Sequence, residues 1–368
     1  MSAQQPIVAI AHDYLTQRGG AERVVLAMHR TFPDAKIYTT LYSPETTFPE
    51  FKDAQVITSL LNKVAPLRRG HRAALPLLAS AANRIRIPAD VVIASSSGWA
   101  HGFRTEGKML VYCHSPARWL YLTDQYVGRS ARRSPRGIAA LALKAPLIRW
   151  DRRAAGRADH YWANSTVVQT RINDVYGLAS ELLHPPSGID ATAPLERPQD
   201  APDGPFHLLV ARLLPYKNVD RVLAAYTGRA EQLLIVGDGP MREQLIRQAP
   251  PNVRFAHHLP DAQLRWCYAH AQVLMAASHE DFGLTILEAA SYGTPAIALR
   301  AGGFLDTVRE GETGVFFDEP TAALISQAID HFIGSTLTKE TVIEHAATFA
   351  EERFAARLRE KVTEITSR

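Results

Sequence analysis

Short apolar runs alternate with amphipathic stretches from one end of the chain to the other. Apolar runs of strand length between turn-forming residues are typical of strands in parallel sheets, which are buried on both faces. Such runs predict strands at 6–13, 35–42, 90–97, 108–115, 158–165, 206–213, 231–238, 252–259, 271–278, 294–301 and 313–317. Helical patterns, such as 20–32 and 217–226, lie between most of them. This alternation predicts an α/β fold with helices on both faces of parallel sheets.

One stretch, 184–205, interrupts the alternation. It is rich in proline and shows no periodicity, which is typical of a linker. We therefore expect two doubly wound, Rossmann-like domains with a cleft between them, over residues 1–186 and 187–348, followed by a C-terminal helical segment, 349–368. Ligands of such sheets bind beyond the carboxyl ends of the strands, so the turns after strands are the expected places for chemistry.

Composition and length bound the class of protein. The chain has 368 residues, of which 46% are hydrophobic and 21% charged, values typical of a soluble globular protein. Its apolar runs fall short of the about 20 residues that span a bilayer. The start has no basic region ahead of its apolar run, so we interpret it as a first strand. Cys113 and Cys267 lie in apolar segments, which favours inert core thiols in a reducing compartment.

The charge is unevenly distributed. Residues 1–184 hold 24 Lys and Arg against 13 Asp and Glu, whereas the rest of the chain holds 17 against 24. The positive charge concentrates in two segments, 63–88 and 128–157, that mix Arg with apolar residues at roughly helical spacing. Basic amphipathic helices bind anionic membrane surfaces; the alternative is a solvated helix face whose Arg stems cover apolar surface. Nucleic acid is the weaker interpretation, because neither segment interleaves the aromatic residues of a stacking platform.

Two turns in the first half carry candidate site residues. Gly19 and Gly20 stand between the first predicted strand and a helix, where glycines let backbone N–H groups approach a phosphate or a sugar. They do not form the G-x-G-x-x-G fingerprint of a dinucleotide site, which argues against a simple dehydrogenase. His114 ends an apolar strand, before Ser-Pro. It is either a substrate contact at the strand end or a side chain that caps the strand.

Two turns in the second half combine charge and glycine. Arg212 and Lys217 flank a proline-containing loop after a strand. A fork of donors and a point charge together suit a diphosphate; a pair of surface cations has the same pattern. Gly237 and Gly239 end the next strand, where they either permit close approach of a base or ribose or form a tight turn.

The segment HEDFGLTILEAASYGTP, 279–295, places two carboxylates around a helix start. Glu280 follows a strand, and Glu288 lies about one turn inside the next helix. Backbone N–H groups at a helix start bind anions, and the carboxylates can accept from sugar and ribose hydroxyls. A nucleotide-diphosphate sugar presents ribose, diphosphate and sugar in this order, so the segment predicts such a donor. The residues of the turn are Phe282, Gly283, Leu284 and Thr285.

Taken together, these residues make the chain resemble the retaining nucleotide-sugar glycosyltransferases of family 4, which have the GT-B fold, over essentially its whole length. The most specific motif is the E-x7-E pair of Glu280 and Glu288 within EDFGLTILE, followed by GTPAIALRAGGFLDTV. Supporting segments are GGAERVV, ARLLPYKN, IVGDGP and ANSTVVQTRINDVYG.

The resemblance implies roles for these residues. The catalytic set would be Arg212 and Lys217 on the donor diphosphate, Glu280 on the donor sugar and His114 near the reaction centre. The donor-binding set would be Gly19, Gly20, Gly237, Gly239, Phe282, Gly283, Leu284, Thr285 and Glu288, the last on the ribose. A C-terminal helix, 350–365, would cross back onto the first domain.

Two segments in the first half of the chain indicate a particular subgroup of this family. IASSSGWAHGF and VYCHSPARWLYLTDQY are similar to segments of bacterial O-antigen and exopolysaccharide mannosyltransferases. That group uses GDP-mannose and polyprenyl-diphosphate-linked oligosaccharides at the inner face of the cytoplasmic membrane. The resemblance implies a cytoplasmic, peripheral membrane enzyme. Arg118, Trp119 and Tyr121 would bind the acceptor, in a segment whose residue order is altered from the group's. The basic segments would hold the first domain on anionic lipid.

Neither a metal nor another cofactor is expected. The sequence has no Asp-x-Asp motif and no His, Cys and carboxylate cluster at metal-ligand spacing. The resemblance implies front-face transfer, with the leaving diphosphate stabilised by Arg212, Lys217 and a helix start. Two alternatives stay open. One is a UDP-glucose or UDP-N-acetylglucosamine transferase, or a phosphorylase-like sugar enzyme, with the same fold. The other is a non-catalytic module that binds a sugar nucleotide or a membrane.

Overall fold

The computed structural model describes residues 6–69, 71–121 and 135–367. The chain divides into two compact units, one of residues 1–186 with 351–368 and one of residues 187–350. Each unit contains a parallel sheet with helices packed against it.

Strands and helices alternate along the first unit. Its strands are β1 (Val8–His12), β2 (Lys36–Thr39), β3 (Val56–Thr58), β4 (Arg86–Ile87), β5 (Val91–Ser96), β6 (Arg104–Thr105), β7 (Lys108–Cys113), β8 (His160–Ala163) and β9 (Glu181–Leu182). Its α-helices are α1 (Gly20–Thr31), α2 (Ala65–Arg69), α3 (His71–Arg84), α4 (Arg118–Tyr121), α5 (Pro135–Ala155), α6 (Thr166–Tyr176) and, from the end of the chain, α14 (Glu351–Thr366). Short 3-10 helices span Pro49–Lys52, Leu60–Lys63 and Ala100–Gly102.

The main sheet of the first unit has the order β3-β2-β1-β5-β7-β8-β9, and its neighbouring strands are parallel. A separate parallel pair joins β4 and β6. The strand order reverses at β1, so the topological switch point, where ligands of doubly wound sheets bind, lies between β1 and β5. The register pairs His12 with Ser95 there. His12 is the last residue of β1 and Ser95 the last but one of β5, so both lie at the carboxyl ends of adjacent strands, at the same edge of the sheet.

Buried apolar side chains cover both faces of this sheet. Ile10 and Ile93 belong to one cluster, which α1 and α14 complete. Val92 and Val111 belong to another. Successive residues of a strand point to opposite faces, which is why β5 is buried throughout and reads as a continuous apolar run in the sequence.

The C-terminal helix α14 is part of the first unit. Its side chains Phe354, Leu358 and Val362 are buried in the same cluster as Ile10, and the Phe354 ring meets the Tyr112 ring edge-on at 5.5 Å. At its start, the Glu351 carboxylate accepts two hydrogen bonds from Arg30 of α1, at 2.6 and 2.7 Å. The helix thus fills part of the core of a unit whose other elements lie before residue 187.

The second unit has the same organisation. Its strands are β10 (Phe206–Val210), β11 (Gln232–Val236), β12 (Val253–Ala256), β13 (Val273–Ala276), β14 (Ala296–Leu299) and β15 (Gly314–Phe317). Its α-helices are α7 (Val219–Tyr226), α8 (Arg242–Gln248), α9 (Asp261–His270), α10 (Leu284–Ala290), α11 (Phe304–Thr307), α12 (Ala322–Ile333) and α13 (Lys339–Ala347), and a 3-10 helix spans Pro215–Lys217.

Its sheet has the order β12-β11-β10-β13-β14-β15, again with parallel neighbours. This is the strand order of a dinucleotide-binding Rossmann sheet, with its switch point between β10 and β13. Strands β13 and β14 are buried along their whole length. The turns that leave β10 and β13 therefore start from fixed positions at one edge of the sheet.

The predicted α/β architecture with parallel sheets is confirmed. Every strand predicted from an apolar run is present, and the helices predicted at 20–32 and 350–365 appear as α1 and α14. The sequence missed β3, β4, β6 and β9, because segments of two or three partly exposed residues are too short to show a period.

Three further expectations concern membrane spans, the basic segments and the cysteines. In residues 6–69, 71–121 and 135–367, no helix is long and apolar enough to cross a bilayer. The basic segment 63–88 runs through α2 and α3, whereas residues 128–134 of the segment 128–157 lie outside the described residues. Both cysteines are buried.

Candidate functional site

The switch point of the second unit brings Lys217 and Glu280 together. Lys217 ends the 3-10 helix after β10, and Glu280 follows β13. The Lys217 ammonium donates to Oε1 of Glu280, which also accepts from the Ser278 hydroxyl at 2.5 Å. The two charged side chains are only 15% and 20% exposed. The residue predicted to bind the diphosphate and the residue predicted to bind the sugar thus form a partly buried ion pair.

The loop between β10 and α7 is tied to the end of β13. Asn218 has a left-handed backbone with φ of 54° and donates from its side-chain amide to the Ala277 carbonyl at 2.8 Å. It precedes α7 without capping it through its side chain, so it does not start that helix as a capping residue would. Arg212, earlier in the loop, is exposed. Its guanidinium has no hydrogen bond or ion pair with the described residues.

Gly237 and Gly239 serve the packing of two loops. A Cβ on Gly237 would overlap the Ala211 carbonyl oxygen, and a Cβ on Gly239 would crowd the backbone of Leu213. The Leu213 N–H donates to the Asp238 carbonyl at 2.8 Å. The close approach that the glycines permit is therefore to the neighbouring loop, and it fixes the turn that carries Arg212.

The turn from β13 into α10 depends on glycine. Gly283 has φ of 99°, and a Cβ there would overlap the Phe304 ring. Phe282 is buried against Leu287 and Phe349, and Leu284 packs beside it. The side chains of Phe282 and Leu284 therefore belong to the core, and what this turn can offer an anion is the backbone N–H groups at the start of α10. Thr285, the second residue of α10, is half-buried.

A second glycine turn holds Glu280 in place. The Gly303 N–H donates to the Glu280 carbonyl at 2.9 Å. Gly302 has φ of 63°, and a Cβ there would overlap that same carbonyl oxygen. A Cβ on Gly303 would overlap the backbone of Phe282. The Gly302–Gly303 pair thus lets the turn after β14 pack directly on the backbone of Glu280.

Glu288 is buried and held by a tyrosine. Its Oε2 accepts from the Tyr268 hydroxyl at 2.6 Å, and the carboxylate is 7% exposed while Tyr268 of α9 is fully buried. A phenolic O–H that donates to one oxygen restricts the rotation of the carboxylate. Glu288 is therefore oriented before any hydroxyl of a ligand meets it.

At the switch point of the first unit, Asp13 organises the turn after β5. Its carboxylate accepts from the backbone N–H groups of Ser97, Trp99 and Ala100 at 2.6 to 2.9 Å. Burial raises the pKa of Asp13, while the charge of His12 and these three bonds counteract it. Asp13 is thus a buried structural carboxylate that caps the Ala100–Gly102 turn.

Gly19 and Gly20 lie at the start of α1, as predicted from their position between a strand and a helix. Gly19 is the N-cap residue, and a Cβ there would crowd Oε2 of Glu22 in the first turn. Glu22 is only 1% exposed. A buried carboxylate under a glycine loop is favoured electrostatically by the helix N-terminus.

His114 follows β7 and is connected through Ser95 and His12 to Glu22. Its Nε2 lies 2.8 Å from Oγ of Ser95. Ser95 Oγ also lies 3.1 Å from Nδ1 of His12, and Nε2 of His12 faces Glu22 at 4.0 Å. The structure thereby connects two sites that the sequence treated separately, His114 and the Gly19–Gly20 loop, through His12, Ser95 and Glu22.

The predicted acceptor residues are engaged within the first unit. The Trp119 ring lies 5.4 Å from the Trp99 ring, and the Tyr121 hydroxyl donates to Asp151 of α5 at 2.6 Å. Burial and the Asp151 charge raise the pKa of Tyr121. Arg118 is the half-buried first residue of α4. Trp119 and Tyr121 have a structural use here, and their contact with an acceptor stays a prediction.

Several functional partners escaped the sequence analysis. They are Ser278, Tyr268, Ser95, His12, Glu22 and the pair Gly302–Gly303. Only the glycine pair carries a local signal, since two glycines directly after a strand indicate close backbone approach. The hydroxyl partners show none, because Ser and Tyr occur in every kind of segment.

Two features limit the chemistry of these sites. Among the described residues, no group of three or more His, Cys, Asp or Glu side chains could hold a metal ion. The second unit offers an ammonium and an exposed guanidinium in the loop after β10, and backbone N–H groups at the start of α10 after β13. Cations and N–H donors at a strand edge can stabilise a phosphate that gains charge when its bond breaks.

Two family models match consecutive parts of the chain. Residues 18–192 match the model described as Glycosyltransferase Family 4, and residues 195–349 match the model described as Glycosyl transferases group 1. Together they cover all of the chain except its ends and two residues of the linker.

Individual proteins match over shorter parts. The chain is 34% identical over 213 residues to a GDP-mannose-dependent alpha-mannosyltransferase of Mycolicibacterium smegmatis, covering 54% of this chain and 53% of that protein. It is 35% identical over 142 residues to a glycogen synthase of Thermus caldophilus, covering 36% and 32%. The match thus spans about half or less of these curated relatives.

Solved structures match over the whole length. A sucrose-phosphate synthase of Thermosynechococcus elongatus aligns with a TM-score of 0.75 over 98% of this chain and 99% of that chain, at 18% identity. At this identity the match concerns the fold alone.

Proposed function

Because the chain belongs to the GT-B glycosyltransferases of family 4, we propose that it transfers mannose from GDP-mannose, with retention of configuration, to a polyprenyl-diphosphate-linked oligosaccharide. The enzyme would act in bacterial surface polysaccharide synthesis, on the inner face of the cytoplasmic membrane. The observation that carries the transferase part is the Lys217–Glu280 pair beside the start of α10.

This pair suits a nucleotide-diphosphate sugar. An ammonium has three donors, and Glu280 occupies one of them, so Lys217 can still donate to diphosphate oxygens. Arg212 is exposed in the same loop and would add a second cation. Glu280 would accept from hydroxyls of the transferred sugar, and the Tyr268-held Glu288 from the ribose.

The proposed chemistry is front-face transfer. The bond between the sugar anomeric carbon and the diphosphate oxygen breaks, and the acceptor hydroxyl bonds to the same face of that carbon while its proton passes to the leaving diphosphate. Lys217, Arg212 and the N–H groups of α10 would stabilise the negative charge on the leaving group. The proposal includes no resident metal and no other cofactor, because these groups supply the positive charge.

The guanine base and the mannose are the finer part of the proposal. The similarity to a GDP-mannose-dependent mannosyltransferase supports them, whereas the similarity to a glycogen synthase favours testing UDP-sugars as the alternative donors. Thermal stability measured with GDP, UDP and ADP, and then with GDP-mannose and UDP-glucose, separates the two. A ligand that binds the folded state raises stability in proportion to the logarithm of its concentration over Kd.

Each outcome has a clear meaning. Stabilisation by GDP and GDP-mannose alone supports the mannosyltransferase. Stabilisation by UDP and UDP-glucose alone would overturn the donor and keep the transferase. Binding of a nucleotide sugar without hydrolysis or transfer on any lipid-linked acceptor would instead favour the non-catalytic module.

Exposed apolar residues of the first unit support the membrane part. Leu60, Val64 and Leu77 are 75%, 45% and 46% exposed and lie in or beside the basic segment 63–88. Apolar side chains next to Lys and Arg are what binds an anionic bilayer surface. Sedimentation with phosphatidylglycerol vesicles tests this: Leu60→Ser with Leu77→Ser should release the protein. Ile333→Ser, which changes an exposed apolar residue of the second unit, 56% exposed, should not. Equal sedimentation of all three proteins would refute the membrane contact.

A further inference from the structure

The edge of the first sheet carries a continuous line of polar side chains, all of them in one unit. It begins at the buried Glu22, continues through His12 and Ser95, and ends at the half-buried His114. His12, Ser95 and Glu22 are at most 2% exposed. Buried polar groups in contact constrain which atom donates and which accepts, so the line has a definite direction.

The direction begins at the Ser95 carbonyl. It lies 3.1 Å from Nδ1 of His12, and a carbonyl oxygen only accepts. Nδ1 of His12 therefore carries a proton. The same nitrogen lies 3.1 Å from Oγ of Ser95, so that hydroxyl accepts from His12 and keeps its own proton for another partner.

That partner is His114. Its Nε2 lies 2.8 Å from Ser95 Oγ, within reach of the proton that the hydroxyl keeps. A hydroxyl that donates to this nitrogen requires it to be unprotonated, and a neutral imidazole with a bare Nε2 carries its proton on Nδ1. The orientation of the Ser95 hydroxyl therefore selects between the tautomers of His114.

The charges around His12 support this direction. Burial lowers the pKa of His12, but the charge of the Glu22 carboxylate, 4.0 Å away, and the charge of Asp13 outweigh burial and raise it. A doubly protonated His12 cannot accept a proton from Ser95. The groups facing this ring are Glu22 from α1 and Asp13 and Ser95 from the strand ends.

We propose that Glu22, His12 and Ser95 form a positioning relay that holds His114 as the neutral Nδ1–H tautomer, so that His114 presents a hydrogen-bond donor and not a base. The role of that donor toward a sugar oxygen rests on the proposed function. The tautomer itself does not, because it is a property of the first unit without substrate.

The neighbouring residue supplies a matched control. Ser96, the last residue of β5, is buried like Ser95 and also bonds a histidine. Its Oγ lies 2.9 Å from Nδ1 of His101. Two consecutive serines therefore each contact a different histidine. Ser96→Ala should alter His101 and leave His114 as it is.

The test is a long-range proton–nitrogen NMR correlation on full-length protein labelled with ¹⁵N-histidine, without nucleotide. The His114 signals are assigned by their loss in His114→Gln. We expect a pyrrole-type Nδ1 and a pyridine-type Nε2 for His114. In Ser95→Ala this pattern should be lost, in Ser95→Thr it should be kept, and in Ser96→Ala it should be unchanged. A protonated Nε2 in the wild-type protein, or an unchanged His114 in a folded Ser95→Ala, would overturn the relay.

A second variant covers the case in which Ser95→Ala does not fold. Glu22→Gln removes a charge that raises the pKa of His12 and does not touch His114. It should shift the His12 signals toward a neutral ring and weaken the bias of His114 toward Nδ1–H. If Nδ1 of His12 carries no proton in the wild-type protein, the relay is wrong at its origin. In the transfer assay, Ser95→Ala should lower kcat/KM about tenfold, the effect of one lost hydrogen bond. If this loss is absent while the tautomer shifts, the error lies in the role of His114 in the proposed function.

Discussion

Lys217 and Glu280, 63 residues apart in the sequence, share one hydrogen bond across the switch point of the second sheet. Each comes from a different loop, and each loop is fixed by another contact: Asn218 bonds Ala277, and Gly303 bonds the Glu280 carbonyl. In the proposed function, this cation and carboxylate at one strand edge would contact the diphosphate and the sugar of the donor.

Replacing Lys217 should stop the reaction without unfolding the protein. In Lys217→Ala we expect kcat/KM to fall by at least about 100-fold, as for other electrostatic donors to a leaving group or oxyanion. The control is Arg221→Ala, which removes a 62% exposed cation a few residues away and should leave activity within about twofold, as surface changes usually do. Steady-state rates with circular dichroism on both variants check this. Wild-type turnover in Lys217→Ala would remove the diphosphate assignment.

Removing the Tyr268 hydroxyl should weaken nucleotide binding. Tyr268→Phe leaves a buried oxygen of Glu288 without its donor, which should cost about 1–3 kcal/mol of stability and let the carboxylate turn away from the ribose. Tyr226→Phe is the matched control, since this fully buried hydroxyl bonds His207 in the same unit, at 2.6 Å. Calorimetric titration with the nucleotide should give a raised Kd for Tyr268→Phe alone. Equal Kd values in the two variants would show that Glu288 does not bind the ribose.

A methyl group on Gly302 should displace Glu280. Gly302→Ala meets both a left-handed φ of 63° and the Glu280 carbonyl oxygen. Gly311 has φ of 76° and open space around its position, so Gly311→Ala should cost only the backbone strain, about 1 kcal/mol. We expect Gly302→Ala to lose clearly more stability in chemical denaturation and to lose activity in its folded fraction. If both variants are equally stable and active, the turn after β14 does not position Glu280.

Stability should depend on pH through His207. Burial lowers the pKa of this side chain from 6.5 to about 4. Between pH 4 and 6.5, His207 binds a proton in the unfolded chain but not in the folded protein, so the free energy of unfolding rises with pH in this range. The contribution of His207 to the free energy of unfolding is fully present above pH 6.5 and is lost as the pH falls toward 4. At about 1.36 kcal/mol per pKa unit, the loss is about 3 kcal/mol. Urea denaturation of the wild type and His207→Gln should give curves that converge as pH falls. Parallel curves would contradict the lowered pKa.

The C-terminal helix should stabilise the first unit through its apolar face. Phe354→Ala empties a site that is 2% exposed beside Tyr112, and a buried Phe-to-Ala change costs about 3–5 kcal/mol. Arg30→Ala breaks only the exposed pair with Glu351, worth at most about 1 kcal/mol. Denaturation followed by tryptophan fluorescence measures both. A small effect of Phe354→Ala would mean that α14 is not part of this core.

The sequence was sufficient for the architecture because the sheets are parallel and buried. Strands such as β5 and β13 are apolar on both faces, so they appear as uninterrupted runs without any knowledge of their neighbours. The short strands β4 and β9 were missed, because two residues of pairing depend on what lies beside them.

The site was less accessible from the sequence than the fold. Motif residues such as Glu280 and His114 stand where turns follow strands, and the turn chemistry alone indicates them as candidates. The residues that contact them cannot be identified in this way. Ser95 becomes the neighbour of His12 only through a register that joins positions 83 residues apart, and no local pattern specifies which strands lie side by side.

The return of α14 to the first unit has a consequence for biosynthesis. When residue 186 leaves the ribosome, the first unit still lacks Phe354, Leu358 and Val362. At about 5–20 residues per second, translation of the intervening second unit takes roughly 8–33 s. During that time an apolar strip beside β7 and α1 is open to solvent and to chaperones. The half of the protein that is synthesised first is therefore the half that is completed last.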